Sequence, residues 1–177
     1  MAIDKIQSES INLADTFAFT GTVTGASGAN TPIFKAQINS TQSLSNNTTT
    51  LVAFNNVITD TASAYTNSAG NYKFTVPSGQ AGKYHVYARL LHRDTNNNMY
   101  QTNTYIYKNG VEFAYGTFNT NSSSRVFRER AGEVEEIITL SEGDYIQIYA
   151  YQVNGSGNQL ESTTKSGHTF NIFKLIE

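Results

Sequence analysis

Three histidines, His85, His92 and His168, and among the fourteen carboxylates Asp60, Asp94, Asp144, Glu135 and Glu136, are side chains of this 177-residue chain whose types could do acid–base or metal chemistry. A zinc site or a general base needs such groups to converge on one point. His85 and His92 have opposite parity within one alternating run, so on an extended strand they point to opposite faces. Glu135 and Glu136 part in the same way and read as a solvated strand edge. No order of His, Ser and Asp suggests a triad, and no glycine run leads into a helix that could cradle phosphate. The three aspartates could donate oxygens to calcium, but they are widely separated and lack the dense Asp/Asn spacing of a calcium loop, so no metal site is assigned. There is no cysteine, which removes disulfides and thiolate zinc together. The expectation is a non-enzymatic chain with no cofactor and no metal.

Composition narrows the partners. A net charge of −2 and a pI near 5.9 offer no phosphate-binding surface, so no nucleic acid is expected. Arg125, Arg128 and Arg130 are interleaved with Glu129, Glu133, Glu135 and Glu136, which reads as a mixed-sign, solvated hairpin. The opening Met1-Ala2-Ile3-Asp4-Lys5-Ile6-Gln7 lacks a basic start and an apolar run, and no stretch approaches the ~20 apolar residues of a membrane span. Synthesis in a cytoplasm without membrane insertion is expected.

The elements that would carry these residues are strands. Alternation of period two, punctuated by turns, covers Ile33–Ile38, Thr50–Ile58, Tyr72–Val76, Lys83–His92, Tyr100–Lys108, Val111–Phe118, Glu135–Leu140, Asp144–Val153 and Thr169–Ile176. Asn109-Gly110 is the clearest hairpin turn, because both residues accept positive φ. Nine to ten short antiparallel strands and no helical period predict an all-β, two-sheet sandwich or jelly roll over residues 32–177. Residues 1–31 differ, since Ile6, Ile11, Leu13, Phe17 and Phe19 precede the small-residue run from Gly21 to Asn30. They read as an N-terminal attachment arm or a first strand. Loops holding Asn96, Asn97 and Asn98, and Asn154 and Asn158, carry no apolar anchor and are expected to be exposed.

Strand Asp144–Val153 places Ile146, Ile148 and Ala150 on one face and Tyr145, Tyr149 and Tyr151 on the other, so neither face is polar. A second apolar face needs a partner. The expected trimer interface is therefore Tyr145, Tyr149 and Tyr151 with Tyr87 in support, lining a threefold axis.

Phe54, Asp60 and Tyr65, followed by Phe74, Gly82-Lys83-Tyr84, Gly143-Asp144-Tyr145 and the closing run His168–Leu175, resemble the signature of the complement globular-head domain (C-one-q type), a relative of tumour necrosis factor. The first two spacings match, while the gaps from Tyr65 to Phe74 and from Phe74 to Gly82 are each two residues longer, as in a distant member. The resemblance implies a jelly roll that assembles as a homotrimer and binds surfaces without catalysis. The opening Ile6–Gly25 is similar to the start of bacteriophage virion proteins. That implies a fibre, tail or capsid-decoration protein located in the virion. Its arm would dock to other virion proteins of capsid or tail, and its exposed loops would contact a host surface glycan or protein. The alternative is a free carbohydrate- or protein-recognition module of lectin type.

Overall fold

A computed structural model describes residues 31–120, 126–153, 157–161 and 167–175. The expected arm residues Ile6, Ile11, Leu13, Phe17 and Phe19, and also Asn154, lie outside the described residues. The strands are β1 (Ile33–Gln37), β2 (Gln42–Ser43), β3 (Thr50–Leu51), β4 (Asn56–Asp60), β5 (Tyr65–Thr66), β6 (Lys73–Thr75), β7 (Gly82–Asp94), β8 (Gln101–Lys108), β9 (Val111–Asn119), β10 (Glu129–Leu140), β11 (Tyr145–Val153), β12 (Asn158–Leu160) and β13 (Thr169–Lys174). One antiparallel sheet has the order β2-β12-β7-β13-β1-β4 with β10 on the far side of β7; the other has the order β5-β6-β11-β8-β9 with β3 beside β11. The two pack face to face.

Alternation decides which side chains fill the space between them. On β7, Tyr84, Val86, Ala88 and Leu90 are fully buried while Tyr87 and Arg89 between them point outward. Ile146, Ile148 and Ala150 do the same on β11. With 25 cal/mol per Å² of apolar area removed from water as a rough guide, each of the larger ones, such as Val86, Leu90, Ile146 and Ile148, contributes about 1.5–3 kcal/mol.

The Phe54, Asp60 and Tyr65 spacing has a physical reason. Asp60 ends β4 and accepts the backbone N–H groups of Ala64 and Tyr65, both at 3.0 Å, which forces the chain around a tight turn. That turn carries Tyr65 back over the core, where its hydroxyl donates to the Phe54 carbonyl at 3.1 Å. Phe54 itself faces inward, and its backbone N–H bonds to the Val52 carbonyl at 3.1 Å instead of continuing a ladder. For this reason the expected strand Thr50–Ile58 is two strands, β3 and β4. At Gly82, φ is +150° and a Cβ would lie 2.8 Å from Lys174 Cε, so the position beside Tyr84 tolerates only glycine without a shift.

β10 begins at Glu129 rather than Glu135. The charged start is a strand because its outward glutamates have partners on β7: Glu133 Oε1 lies 3.2 Å from Arg89 Nε and Glu135 Oε1 lies 2.6 Å from His85 Nε2. These half-exposed pairs add little stability each, but they fix register.

β9 and β10 are edge strands of different sheets and run side by side. An added Cβ on Gly116 of β9 would lie 1.8 Å from the Glu133 backbone oxygen, so the two backbones are in direct contact there. A Cβ on Gly132 would instead meet side-chain atoms, the buried Thr104 hydroxyl at 2.6 Å and the His92 ring at 3.3 Å, rather than a backbone. Gly116→Ala is expected to destabilise the protein by about 2 kcal/mol or more, as overpacking against fixed atoms does, and Gly132→Ala by clearly less. Urea titration of both variants checks the order.

Candidate functional site

Tyr145, Tyr149 and Tyr151 of β11 do share one outward face, and the neighbouring strands extend it. Tyr105 of β8 lies opposite Tyr149 on one side and opposite Tyr115 of β9 on the other, so the three form a row across the sheet. Ring centroids are 4.3 Å apart for Tyr107 and Tyr149, 6.1 Å for Tyr105 and Tyr107, and 5.4 Å for Tyr105 and Tyr115. Asn103 is locked among them, donating from Nδ2 to the Tyr105 hydroxyl at 2.6 Å and accepting from Thr117 at 2.7 Å. Burial pushes the Tyr105, Tyr107 and Tyr149 phenols up, so the array is neutral. At its rim, Lys73 Nζ sits 4.7 Å above the Tyr145 ring.

Tyr87 is elsewhere. It leaves the outer face of the other sheet, on β7, where burial and then the Glu133 carboxylate push its phenol up. The expected axis of four tyrosines therefore divides between opposite faces of the sandwich. Parity within each strand was sufficient to find each face, but not to say which strands share a sheet.

The asparagine loops also divide. Asp94, fully buried, accepts the N–H groups of Asn96 at 2.8 Å and Asn98 at 2.7 Å, which makes a rigid Asx-type turn with Asn97 at φ 57°. Asn96 and Asn97 are exposed and Asn98 is half-buried. Asn158, expected to be exposed, is 6% exposed and opens β12, which pairs with Asp94 and Arg93 of β7. Leu160, completely buried, is the apolar anchor that pulls this short strand in.

His92 and His168 occupy the same end of the molecule, inside it. His92 lies between the sheets with Nε2 3.3 Å from the Thr104 hydroxyl and Nδ1 3.4 Å from the Gln152 amide oxygen. His168 Nδ1 accepts the Leu91 N–H at 3.2 Å, which leaves Nε2 to donate to the Glu161 carbonyl. Burial holds both imidazoles neutral, pulling His92 down to about 3 and His168 down as well. These contacts, to a hydroxyl, an amide and backbone groups, make both imidazoles buried polar connectors. The missed signal is the inward parity of Thr102, Thr104 and Gln152, polar residues where the pattern calls for apolar ones. His85 stands apart on the outer face, stacked 4.8 Å from Phe173.

The largest exposed apolar groups were not expected at all. Val111, Phe113 and Tyr115 of β9 are 70%, 49% and 53% exposed, and Ile137 of β10 is 60% exposed. A register shift between Ile106 and Tyr107 leaves Phe113 unpaired in a bulge, where it keeps the outward parity of Tyr115 and brings Glu112 to the outward side opposite Tyr107. Ile33, Val57 and Ile58 form a second exposed apolar group around β1 and β4, at the other edge of the seven-stranded sheet.

Among solved structures, the globular domain of zebrafish complement 1qA protein aligns with a TM-score of 0.55 at 17% identity, covering 81% of this chain and 97% of that one. Murine APRIL at pH 5.0 aligns with a TM-score of 0.58 at 13% identity, covering 81% and 98%. The chain has their jelly-roll fold. No family model and no curated protein matches it. The signature residues Phe54, Asp60, Tyr65, Phe74 and Tyr84 are accordingly jelly-roll core residues and a turn-forming carboxylate, not a binding site.

The buried imidazoles predict acid sensitivity. A folded-state pKa below the ordinary 6.5 means that the unfolded jelly roll binds more protons, so stability is complete above pH 6.5 and declines as pH falls towards 3. Within that window the slope should reach about 1.4 kcal/mol per pH unit for each fully neutral imidazole. Thermal melts from pH 7 to pH 4 should show a falling Tm, with a shallower fall in His92→Gln.

Proposed function

We propose that this chain is a non-enzymatic recognition head that works as a homotrimer. The observation that carries the reading is a pair of separate apolar groups: Val111 and Phe113 of β9 with Ile137 of β10, where the edges of the two sheets run side by side, and Ile33, Val57 and Ile58 at the β4 edge of the seven-stranded sheet. A closed ring of three uses a heterologous contact, in which one patch meets a different patch on the next copy. Two separate apolar patches supply that, and the jelly-roll resemblance favours three copies.

The molecule has two poles. Lys174 donates to the Pro32 carbonyl at 3.1 Å, so the start of β1 and the end of β13 lie together. The Asp94 turn and β12 lie at the opposite end of β7. A segment attached before residue 31 would leave Asn96 and Asn97 facing away from the attachment.

We infer a bacteriophage virion protein from this polarity together with the resemblance of Ile6–Gly25 to phage structural proteins. Residues 1–31 would dock to capsid or tail, and the head would project toward a host surface glycan or protein.

Light scattering after size exclusion should give a mass near three times 19.5 kDa for the full chain. Phe113→Asp combined with Ile137→Asp should reduce it to the monomer mass without loss of β-sheet circular dichroism. A monomeric wild type would overturn the trimer. For the virion role, the full chain should co-sediment with purified phage particles while a chain starting at Pro32 should not.

A further inference from the structure

We propose that the outward face of the six-stranded sheet, centred on Tyr107 and Tyr149, is a binding platform for a neutral glycan. The reading rests in part on the trimer proposed above, which leaves this face open. It lies in the middle of a sheet, and contact between the same central face on two copies is isologous and closes a dimer rather than a ring of three. The edge patches, not this face, suit the threefold contact.

Its chemistry selects the occupant. The face holds phenols, amides and a hydroxyl, with a carboxylate in Glu112, directly opposite Tyr107 across the β8–β9 pair, and a cation at the rim in Lys73, which already sits over the Tyr145 ring. A nucleic acid or an acidic peptide would find no cluster of cations. The Glu112 carboxylate beside Tyr107 would repel an anionic ligand, so a neutral one fits this face.

Two amides on this face are unusual for side chains that point away from the core. Asn103 is 6% exposed and Gln147 is 7% exposed, each covered by neighbouring tyrosines. Asn103 is held by the Tyr105 and Thr117 hydroxyls, whereas the Gln147 Nε2 group and the Tyr107 hydroxyl make no hydrogen bond among the described residues. A pyranose ring with equatorial hydroxyls presents a flat face of polarised C–H bonds to the negative face of a phenol ring, and its hydroxyls reach amides at the ring edge. The row Tyr149, Tyr105 and Tyr115 crosses two strand spacings, about 9.5 Å, which is room for a disaccharide unit. Three such platforms on one trimer would raise a weak single-site affinity by about 10²–10⁴ on a multivalent surface.

The protein has no tryptophan, so its emission reports tyrosine directly. The full chain is titrated with cellohexaose and chitohexaose, and with sialyllactose as the anionic comparison. Saturable quenching by a neutral hexasaccharide, with Kd between about 0.1 and 5 mM, is expected. Tyr149→Ala and Tyr107→Ala should each weaken it at least tenfold with mass and Tm retained, and Lys35→Ala, at an exposed position on β1 of the other sheet, should leave it unchanged. No binding of either neutral sugar, or tighter binding of sialyllactose, overturns the proposal. So does binding that both tyrosine variants retain. A Tyr149→Ala protein that loses its trimer mass makes the face a subunit contact and overturns it too. A monomeric wild type that still binds through Tyr149 refutes the trimer and leaves the platform standing.

Discussion

Everything in this molecule depends on one cross-sheet aromatic contact. Phe34 of β1 stacks on Tyr65 at 4.3 Å, meets Phe170 edge-on at 5.1 Å and reaches Phe74 at 5.9 Å, so a single ring joins strands of both sheets. With no disulfide available, packing of this kind has to supply the stability that ordering a long polar chain consumes. Aromatic pairs add about 0.5–1.5 kcal/mol each beyond the area they bury. The cluster also sets where the sheets lie relative to each other, and hence which outward faces exist.

The alternation of apolar side chains made most of the fold legible. Strands such as β7, β8, β9 and β11 could be read because side chains alternate along them and turns mark their ends. What escaped was set by tertiary partners. β10 starts with Glu129 and Arg130, which look like a solvated turn until Arg93 and Arg89 stand opposite the glutamates. Asn158–Leu160 looks like a continuation of a glycine-rich loop, and only the edge of β7 makes it a strand. The tyrosine face on β11 was visible as a face, but its extension through Tyr105, Tyr107 and Tyr115 needs the pairing of β8 with both neighbours. Glu112 could not be placed opposite Tyr107, since a bulge reverses parity without any mark in the residue types.

Two kinds of surface result, and they differ physically. The β9 and β10 edge exposes aliphatic and aromatic groups without amides, which suits burial against a second copy of the chain. The six-stranded face mixes phenols with oriented amides, which suits a ligand that has both C–H and hydroxyl groups. Neither surface includes the Asp94 turn, whose buried carboxylate keeps Asn96 and Asn97 in fixed positions at the far pole.

The pairing of β1 with β13 determines how the head would bear a pull. Ile33 to Ala36 face Phe173 to Phe170, with β4 on the other flank. A load drawn along residue 31 while the far pole is held acts along the axis of β1, so the hydrogen bonds on both flanks are strained in shear and share it. Tension applied between residues 31 and 175 would instead peel the same strands apart bond by bond. The protein is built to resist force transmitted through its length and to yield when its two ends are separated.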